Sequence, residues 1–288
     1  MVGLKDTSRD VENHQIELLR NAPLEKHVGL LCSLSELILQ LSRQAIRAAY
    51  KDSDKITRYN AIVAHHYDQA LADELKQHWR SGLQTDEIDE YTMSKPDILT
   101  AVIPVAEILD KIGIAYHIGG SFASSAYGVP RATADVDLMV DIRIEQVDLF
   151  VKALEAAYYI NEKSVRDAII RKSSFNIIHF DTMLKIDIFI PQDSVYDKQV
   201  MQRVLSIKLG YAGKEHIFYL KSPEDVVLTK LEWYRSGGEV SERQWSDVIG
   251  VLRVQIKTID FDYLRRWAIQ LKLVDLLEKA ITESEQHS

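Results

Sequence analysis

The sequence predicts an α+β protein, with a mixed-sheet core, a C-terminal helical bundle and an N-terminal helical hairpin. Three patterns carry that prediction. Between residues 12 and 80 apolar side chains recur every three or four positions, the period of an amphipathic helix. Between residues 114 and 190 lie β-prone runs of period two, punctuated by glycine and polar turns. Beyond Ser222 the helical period returns and persists. The corresponding domain reading is a helical hairpin over 1–80, a linker over 81–96, a core over 97–221 and a helical domain over 222–288.

The N-terminal segment shows two stripes. Leu34, Ile38, Leu41 and Ala45 share one helix face, and Ile56, Tyr59, Val63, Tyr67, Leu71, Leu75 and Trp79 share another. Lys51-Asp52-Ser53-Asp54 makes the turn between them, so the segment reads as an antiparallel hairpin whose apolar side needs a partner. His65 and His66 project about 100° apart on a helix and are poorly placed to share a metal. Next comes Ser81-Gly82-Leu83-Gln84-Thr85-Asp86-Glu87, a polar and acidic stretch that reads as a tether. Met93-Ser94-Lys95-Pro96 then looks like a fresh protein start, which suggests a fusion of two cooperating genes.

In the core, residues 98–110 carry Ile98, Val102, Val105 and Leu109 on one helical face that stops at Gly113. Ile114 to Ile118 is β-prone and breaks at Gly119-Gly120-Ser121, where a helix can begin with Ser121 as its N-cap. Glycines let a backbone approach a ligand closely, and the N–H groups of a helix start attract anions. Gly128 and Pro130 end that helix. Ala134 to Val140 follows as a strand with Asp135 and Asp137 on one face, about 7 Å apart at ~3.3 Å per residue. Such a pair is costly to bury unless a cation joins it. Val147, Phe150, Val151 and Leu154 mark another helix, and Phe175–Phe180 and Leu184–Ile190 pair as strands about Asp181-Thr182. Asp187 interrupts the apolar pattern of the second of these. An all-oxygen donor set of three acids favours Mg²⁺ or Mn²⁺.

Each piece has a plainer reading. Gly-Gly-Ser is an ordinary strand-to-helix turn, Asp-x-Asp a solvated strand end, and Asp187 an exposed strand position. Their order and spacing together favour chemistry on a nucleoside triphosphate. Ile118-Gly119-Gly120-Ser121, then Asp135-Val136-Asp137, then Lys185-Ile186-Asp187-Ile188, resemble the motifs of the DNA polymerase β nucleotidyltransferase superfamily. From about Met93 onward the chain is similar to small prokaryotic abortive-infection and toxin-antitoxin transferases, with Ser222 to Trp233 matching the helix after their core. The resemblance implies a polymerase β-like fold and two divalent ions on Asp135, Asp137 and Asp187. It also implies transfer of a nucleoside monophosphate from an NTP to a hydroxyl of an RNA end, a protein or a small molecule. Gly119, Gly120 and Ser121 would hold the outer phosphates, and Asp187 would help deprotonate the acceptor. Arg131 and Lys230 are further candidates to meet the triphosphate. Arg131 could equally neutralise the acids, and Lys230 could be a solvated helix position. The alternatives are a catalytically idle nucleotide-binding module, or a toxin unit whose N-terminal hairpin blocks the site.

Composition bounds these readings. A hydrophobic share of 46% over 288 residues can bury a sizeable core. The single cysteine, Cys32, excludes an internal disulfide and reads as an apolar filler. Met1-Val2-Gly3-Leu4-Lys5-Asp6 lacks the apolar stretch of a signal peptide, and no run is apolar enough to span a membrane, so the cytoplasm is expected. A net charge of −8 argues against a broad grip on nucleic acid. The cluster Lys163, Arg166, Arg171 and Lys172 is read as a solvated helix face. Past Ser222, Pro223 takes a first helical position. Ser241-Glu242-Arg243-Gln244 caps a second helix with Trp245, Val248, Ile249 and Leu252 inward, and Tyr263, Leu264 and Trp267 mark a third. The oligomeric state is left open.

Overall fold

The computed structural model describes residues 8–80 and 97–286. The tether read over 81–96 and the segment Met1 to Asp6 lie outside the described residues. The chain is a mixed α+β protein around one seven-stranded sheet. The N-terminal segment, among the described residues, forms four helices: α1 (Arg9–Asn21), α2 (Leu24–Ala49), α3 (Lys55–His66) and α4 (Gln69–Arg80). The expected two-helix hairpin is thus broken twice more. Pro23 cannot continue α1 because it lacks an N–H and disfavours helix at the residue before it. Between α3 and α4 the chain leaves helical geometry at Tyr67, and Asp68 accepts from the Leu71 N–H to open α4.

One stripe also faces the other way. Ile38 and Leu41 are 54% and 56% exposed, while Leu31, Ser35, Leu39 and Arg43 turn inward. Backbone groups on the core decide that face. Ser35 Oγ accepts from the Thr133 N–H at 2.9 Å, and the Arg43 guanidinium donates to the Thr182 carbonyl. Left buried without a partner, each of these backbone groups would cost about 1–3 kcal/mol. The Ile56-to-Trp79 stripe does face inward. Tyr59, Val63, Leu71, Leu75 and Trp79 pack against Ile178, Phe180 and Met183 at the turn between two strands.

The core then runs α5 (Ile98–Lys111), β1 (Tyr116–Ile118), α6 (Gly120–Tyr127), β2 (Asp135–Val140), α7 (Val147–Leu154), β3 (Tyr158–Tyr159), α8 (Glu162–Arg171), β4 (Ser174–His179) and β5 (Lys185–Phe189). It continues α9 (Val195–Gln202), β6 (Leu205–Tyr211), β7 (Lys214–Leu220), α10 (Pro223–Ser236), α11 (Glu242–Gln255), α12 (Phe261–Leu271) and α13 (Val274–Gln286). The spatial order is β3-β4-β5-β2-β1-β7-β6, with β2 parallel to β5 and β1 parallel to β7. The hairpin β6–β7 was not anticipated from the sequence, although Ile207, Leu209, Phe218 and Leu220 alternate with outward residues in the ordinary strand manner. Ser222 caps α10 and Ser241 caps α11 by accepting from the Asp225 and Gln244 N–H groups, as the sequence predicts.

Ser121 departs from its expected role. The helix starts two residues earlier, with Gly119 as N-cap and Gly120 at a φ of +53°, so Ser121 lies inside α6 and its hydroxyl is released from capping. One continuous core links Val28 and Leu31 of α2 to the sheet and on to Ile281 of α13. Cys32 packs against that core, and burial pushes its thiol up to about 12, as suits an inert filler. On α8, Arg166 is paired with Glu162 and Asp148, and just beyond it Lys172 reaches Asp193 at 3.2 Å, so two of the four cations of that cluster are paired.

Candidate functional site

Strand register gathers the site. In the parallel pair β2–β5, Asp135 stands opposite Lys185, Asp137 opposite Asp187 and Met139 opposite Phe189. In the antiparallel pair β1–β2, His117 stands opposite Met139. Neighbours across a sheet share a face. Val136, Leu138, Ile186 and Ile188 form the opposite, buried face. The three acids foreseen in the sequence therefore lie on one face of two adjacent strands, with an apolar row beyond them. Across β4, Asn176 stands opposite Asp187, a neighbour that sequence reading missed because pairing order is not visible in one strand alone.

The glycine turn is built around one of these acids. A Cβ on Gly120 would fall 1.6 Å from Asp137 Oδ2, so a side chain there would expel the carboxylate. Gly119 donates its N–H to the Asp137 carbonyl at 2.9 Å, which locks the turn to β2. Burial, reinforced by the charges of Asp135 and Asp187, pushes the Asp137 carboxyl up to about 6. Burial also raises Asp187, although Lys185 Nζ lies 2.8 Å from its Oδ2 and opposes the shift. Asp135 is held by the Thr133 hydroxyl at 3.0 Å.

Lys185 belongs to a second contact that the sequence did not announce. Its Nζ lies 5.3 Å from the centroid of the Tyr67 ring. Its backbone N–H donates to the Tyr67 hydroxyl at 3.0 Å, and that hydroxyl is also 3.0 Å from the Ala134 carbonyl and 3.1 Å from the Met183 carbonyl. Tyr67 is buried enough for its phenol to be held well above the ordinary range. A residue of the N-terminal segment thus ties the starts of β2 and β5, the two strands that carry the acids.

A cleft of about 280 Å³ opens on this face, lined by Gly119, Gly120, Ser121, Asp137, Met139, Phe189, Lys230 and Trp233, with His117, Lys221, Thr229 and Gln244 among the others. Arg131 and Lys230, both singled out from the sequence, converge on Asp247. Arg131 donates to its two oxygens at 2.8 and 2.7 Å, and Lys230 to Oδ2 at 2.8 Å. Burial alone would raise Asp247, but the hydrogen bonds of Arg131 and the charge of Lys230 hold it below the usual range. Arg131 reaches on to Ser121 Oγ at 2.8 Å, and Arg243 reaches the same oxygen at 3.2 Å. Lys230 is buried rather than solvated. Asp247 and Arg243 were missed because the helix that carries them reads as an ordinary amphipathic one.

No family model and no curated protein matches the sequence. Among solved structures, the chain is similar to an antigenic nucleotidyltransferase-like protein from Paracoccidioides brasiliensis. That similarity has 18% identity and a TM-score of 0.39, and it covers 64% of this chain and 92% of the other. No helix among the described residues is long and apolar enough to cross a membrane. Among the described residues, no three His, Cys, Asp or Glu side chains are gathered closely enough to hold a metal ion as they stand. Lys185 and Thr133 take up Asp187 and Asp135 instead.

Proposed function

We propose that this face is the active site of a nucleotidyltransferase that moves a nucleoside monophosphate from an NTP to an acceptor hydroxyl. The observation that carries the reading is the interlock of Gly120 with Asp137, with Asp187 directly across the strand pair. A phosphate-approaching turn and a pair of like charges are made into one unit. Three carboxylates on one face, with Asp137 and Asp187 raised chiefly by burial, are an all-oxygen donor set of the kind that suits Mg²⁺ or Mn²⁺, and they would have to draw together to hold one. Two such ions, when bound, would supply charge neutralisation at the reacting phosphate.

The chain's own residues do the rest. The backbone of Gly119 and Gly120 leaves room for phosphate oxygens, and the Ser121 hydroxyl, freed from capping, faces the same cleft. The Asp247 network fixes Arg131 and Lys230 beside that hydroxyl. An acceptor oxygen forms a bond to the α-phosphorus, the α–β phosphoanhydride bond breaks and pyrophosphate leaves. The acceptor proton passes to Asp187, whose raised carboxyl is suited to take it. Positioning and electrostatics supply most of the rate.

The acceptor is an RNA end, a protein side chain or a small molecule, and the chain works in the cytoplasm. In the toxin-antitoxin form of this reading, the first 80 residues are the partner of the transferase. Among the described residues, those lining the cleft come from the core and C-terminal helices, and Tyr67 braces the acid-bearing strands. That favours a supporting partner over a blocking one. The test is incubation with each NTP labelled at the α-phosphate, Mg²⁺ or Mn²⁺ and candidate acceptors. Metal-dependent label on an acceptor is expected, lost in Asp137→Asn. Nucleotide binding without transfer to any acceptor would favour the catalytically idle module.

A further inference from the structure

Two buried polar side chains on the rim of the glycine turn have no role in the chemistry above. Lys221 follows the last residue of β7. Leu220 pairs with Ile118 in the parallel ladder, so the next residues, Lys221 and Gly119, come side by side on the site face. The Lys221 N–H donates to the Ile118 carbonyl, and its Cε lies 3.8 Å from where a Cβ on Gly119 would stand. The side chain is only 6% exposed, yet it lines the cleft. Its ammonium donates to Thr229 Oγ1 at 2.9 Å, and the carboxylates of Asp225, Asp197, Glu232 and Asp137 act on it electrostatically, though among the described residues none forms a direct ion pair with it. Burial outweighs those charges and disfavours the ammonium, so an arriving anion would stabilise it.

His117 supplies the second, independent observation. It is 1% exposed, lines the same cleft, and neither ring nitrogen has a hydrogen-bond partner of ordinary geometry. Burial, with the Lys221 charge nearby, keeps the imidazole well below its usual range and therefore neutral. A neutral imidazole offers one N–H donor. By contrast Arg131 and Lys230, the cations that the sequence put forward, are already bound to Asp247. The cleft thus holds a cation without a direct ion pair and a donor without a hydrogen-bond partner, both beside Gly119.

We propose that Lys221, with His117 beside it, is the phosphate-binding cation of the cleft and takes the outer phosphates of the nucleoside triphosphate. The proposal rests on the nucleotidyltransferase reading of the same cleft. In it, Thr229 holds the ammonium in place until the phosphate replaces part of its solvation. Lys230 and Arg131 then stay bound to Asp247 without contributing free charge.

The experiment is calorimetric titration of the full chain with tripolyphosphate, with each NTP and with the matching nucleoside, in Mg²⁺ and without it. Lys221→Gln is expected to weaken tripolyphosphate and NTP binding by on the order of 10- to 100-fold, the scale of a buried charge-assisted hydrogen bond. Nucleoside binding should stay unchanged. Lys221→Arg should restore much of the loss, and His117→Phe should produce a smaller loss of the same kind. Thermal melts identify any variant that fails to fold, and Thr229→Val, which leaves the charge in place, provides a second route with a loss of a few-fold. If the wild-type chain binds NTP and Lys221→Gln or Thr229→Val keeps full tripolyphosphate affinity, the Lys221 assignment is overturned while the nucleotidyltransferase reading survives. If the wild-type chain binds neither NTP nor tripolyphosphate, both fall together.

Discussion

Asp137 and Asp187 stand directly opposite each other on two parallel strands, and burial holds both carboxyls above the ordinary range. Proteins seldom place two acids this way without a use for the strain. Asp137→Asn removes one charge at nearly constant shape. Metal-dependent transfer should fall by on the order of 10²- to 10³-fold, the cost of losing one electrostatic contact at a reacting phosphate. Stability without metal should rise by about 1 kcal/mol as the repulsion is relieved. Denaturant titration in chelator measures the second effect. A variant markedly less stable than the parent would give Asp137 a structural role instead.

Gly120 and Gly113 offer a controlled pair, since both have positive φ. A methyl group on Gly113 meets nothing within 4 Å, whereas on Gly120 it would collide with Asp137. Gly113→Ala should therefore lose only the left-handed strain, about 1–2 kcal/mol, and keep its activity. Gly120→Ala should lose at least as much stability and all nucleotide transfer, because the carboxylate must leave its place. Comparing melts with activities separates the two. Equal activity in both variants would mean that the interlock has no catalytic meaning.

Most of this site was legible in the sequence because its grammar is local. A strand, a glycine pair, a short helix and an acid pair at alternate positions are all fixed by neighbours along the chain, and Asp187 betrayed itself by interrupting an apolar strand. What was not legible depends on contacts made across the fold. In the sequence Arg131 and Lys230 are candidates for the triphosphate, with neutralising the acids or a solvated position as the alternatives, and nothing points to Asp247, on a helix far along the chain, which holds both. Ser121 looked like a cap because nothing nearby shows that the helix starts at Gly120. The inward face of α2 was misread for a related reason. Periodicity sees leucines, whereas the decision lay with the Thr133 N–H and the Thr182 carbonyl waiting on the core. Lys221 and His117 carry no local signal at all, since only the parallel pairing of β1 with β7 brings them to the cleft.

Tyr67 joins the N-terminal helices to the acid-bearing strands through one hydroxyl. Tyr67→Phe keeps the ring and its contact with Lys185 but leaves the Lys185 N–H and two carbonyls short of a partner. A loss of about 1–3 kcal/mol in stability is expected. Activity should drop more than this stability loss explains, since the start of β5 sets the position of Asp187. Tyr67→Asp should separate the N-terminal helices from the core or unfold the chain, which hydrogen exchange over residues 9–80 would register. Full activity and unchanged exchange in Tyr67→Phe would leave the hydroxyl without a bracing role.

Acid should loosen the same junction. Burial, and for His66 the neighbouring Arg43 and His65 charges, lowers the imidazoles of His66 and His179 to about 4 from an ordinary 6.5. His179 Nδ1 lies 2.9 Å from Thr182 Oγ1, and the Thr182 carbonyl accepts from Arg43, so both histidines border the contact between α2, α3 and the sheet. In the unfolded chain they take up protons once the pH falls below 6.5, whereas in the folded chain they do so only near 4. Their contribution is therefore complete above pH 6.5 and is lost as the pH falls from 6.5 to 4. Allowing for the partial exposure of His66, the loss is about 1–3 kcal/mol for each. Melting curves from pH 4 to 7.5 should show His66→Gln and His179→Asn losing less stability on acidification than the parent chain. The difference between curves isolates the histidines from the carboxylates, which titrate in every variant. Parallel curves would mean that these imidazoles already protonate normally in the folded chain and that the junction has no acid weakness of this origin.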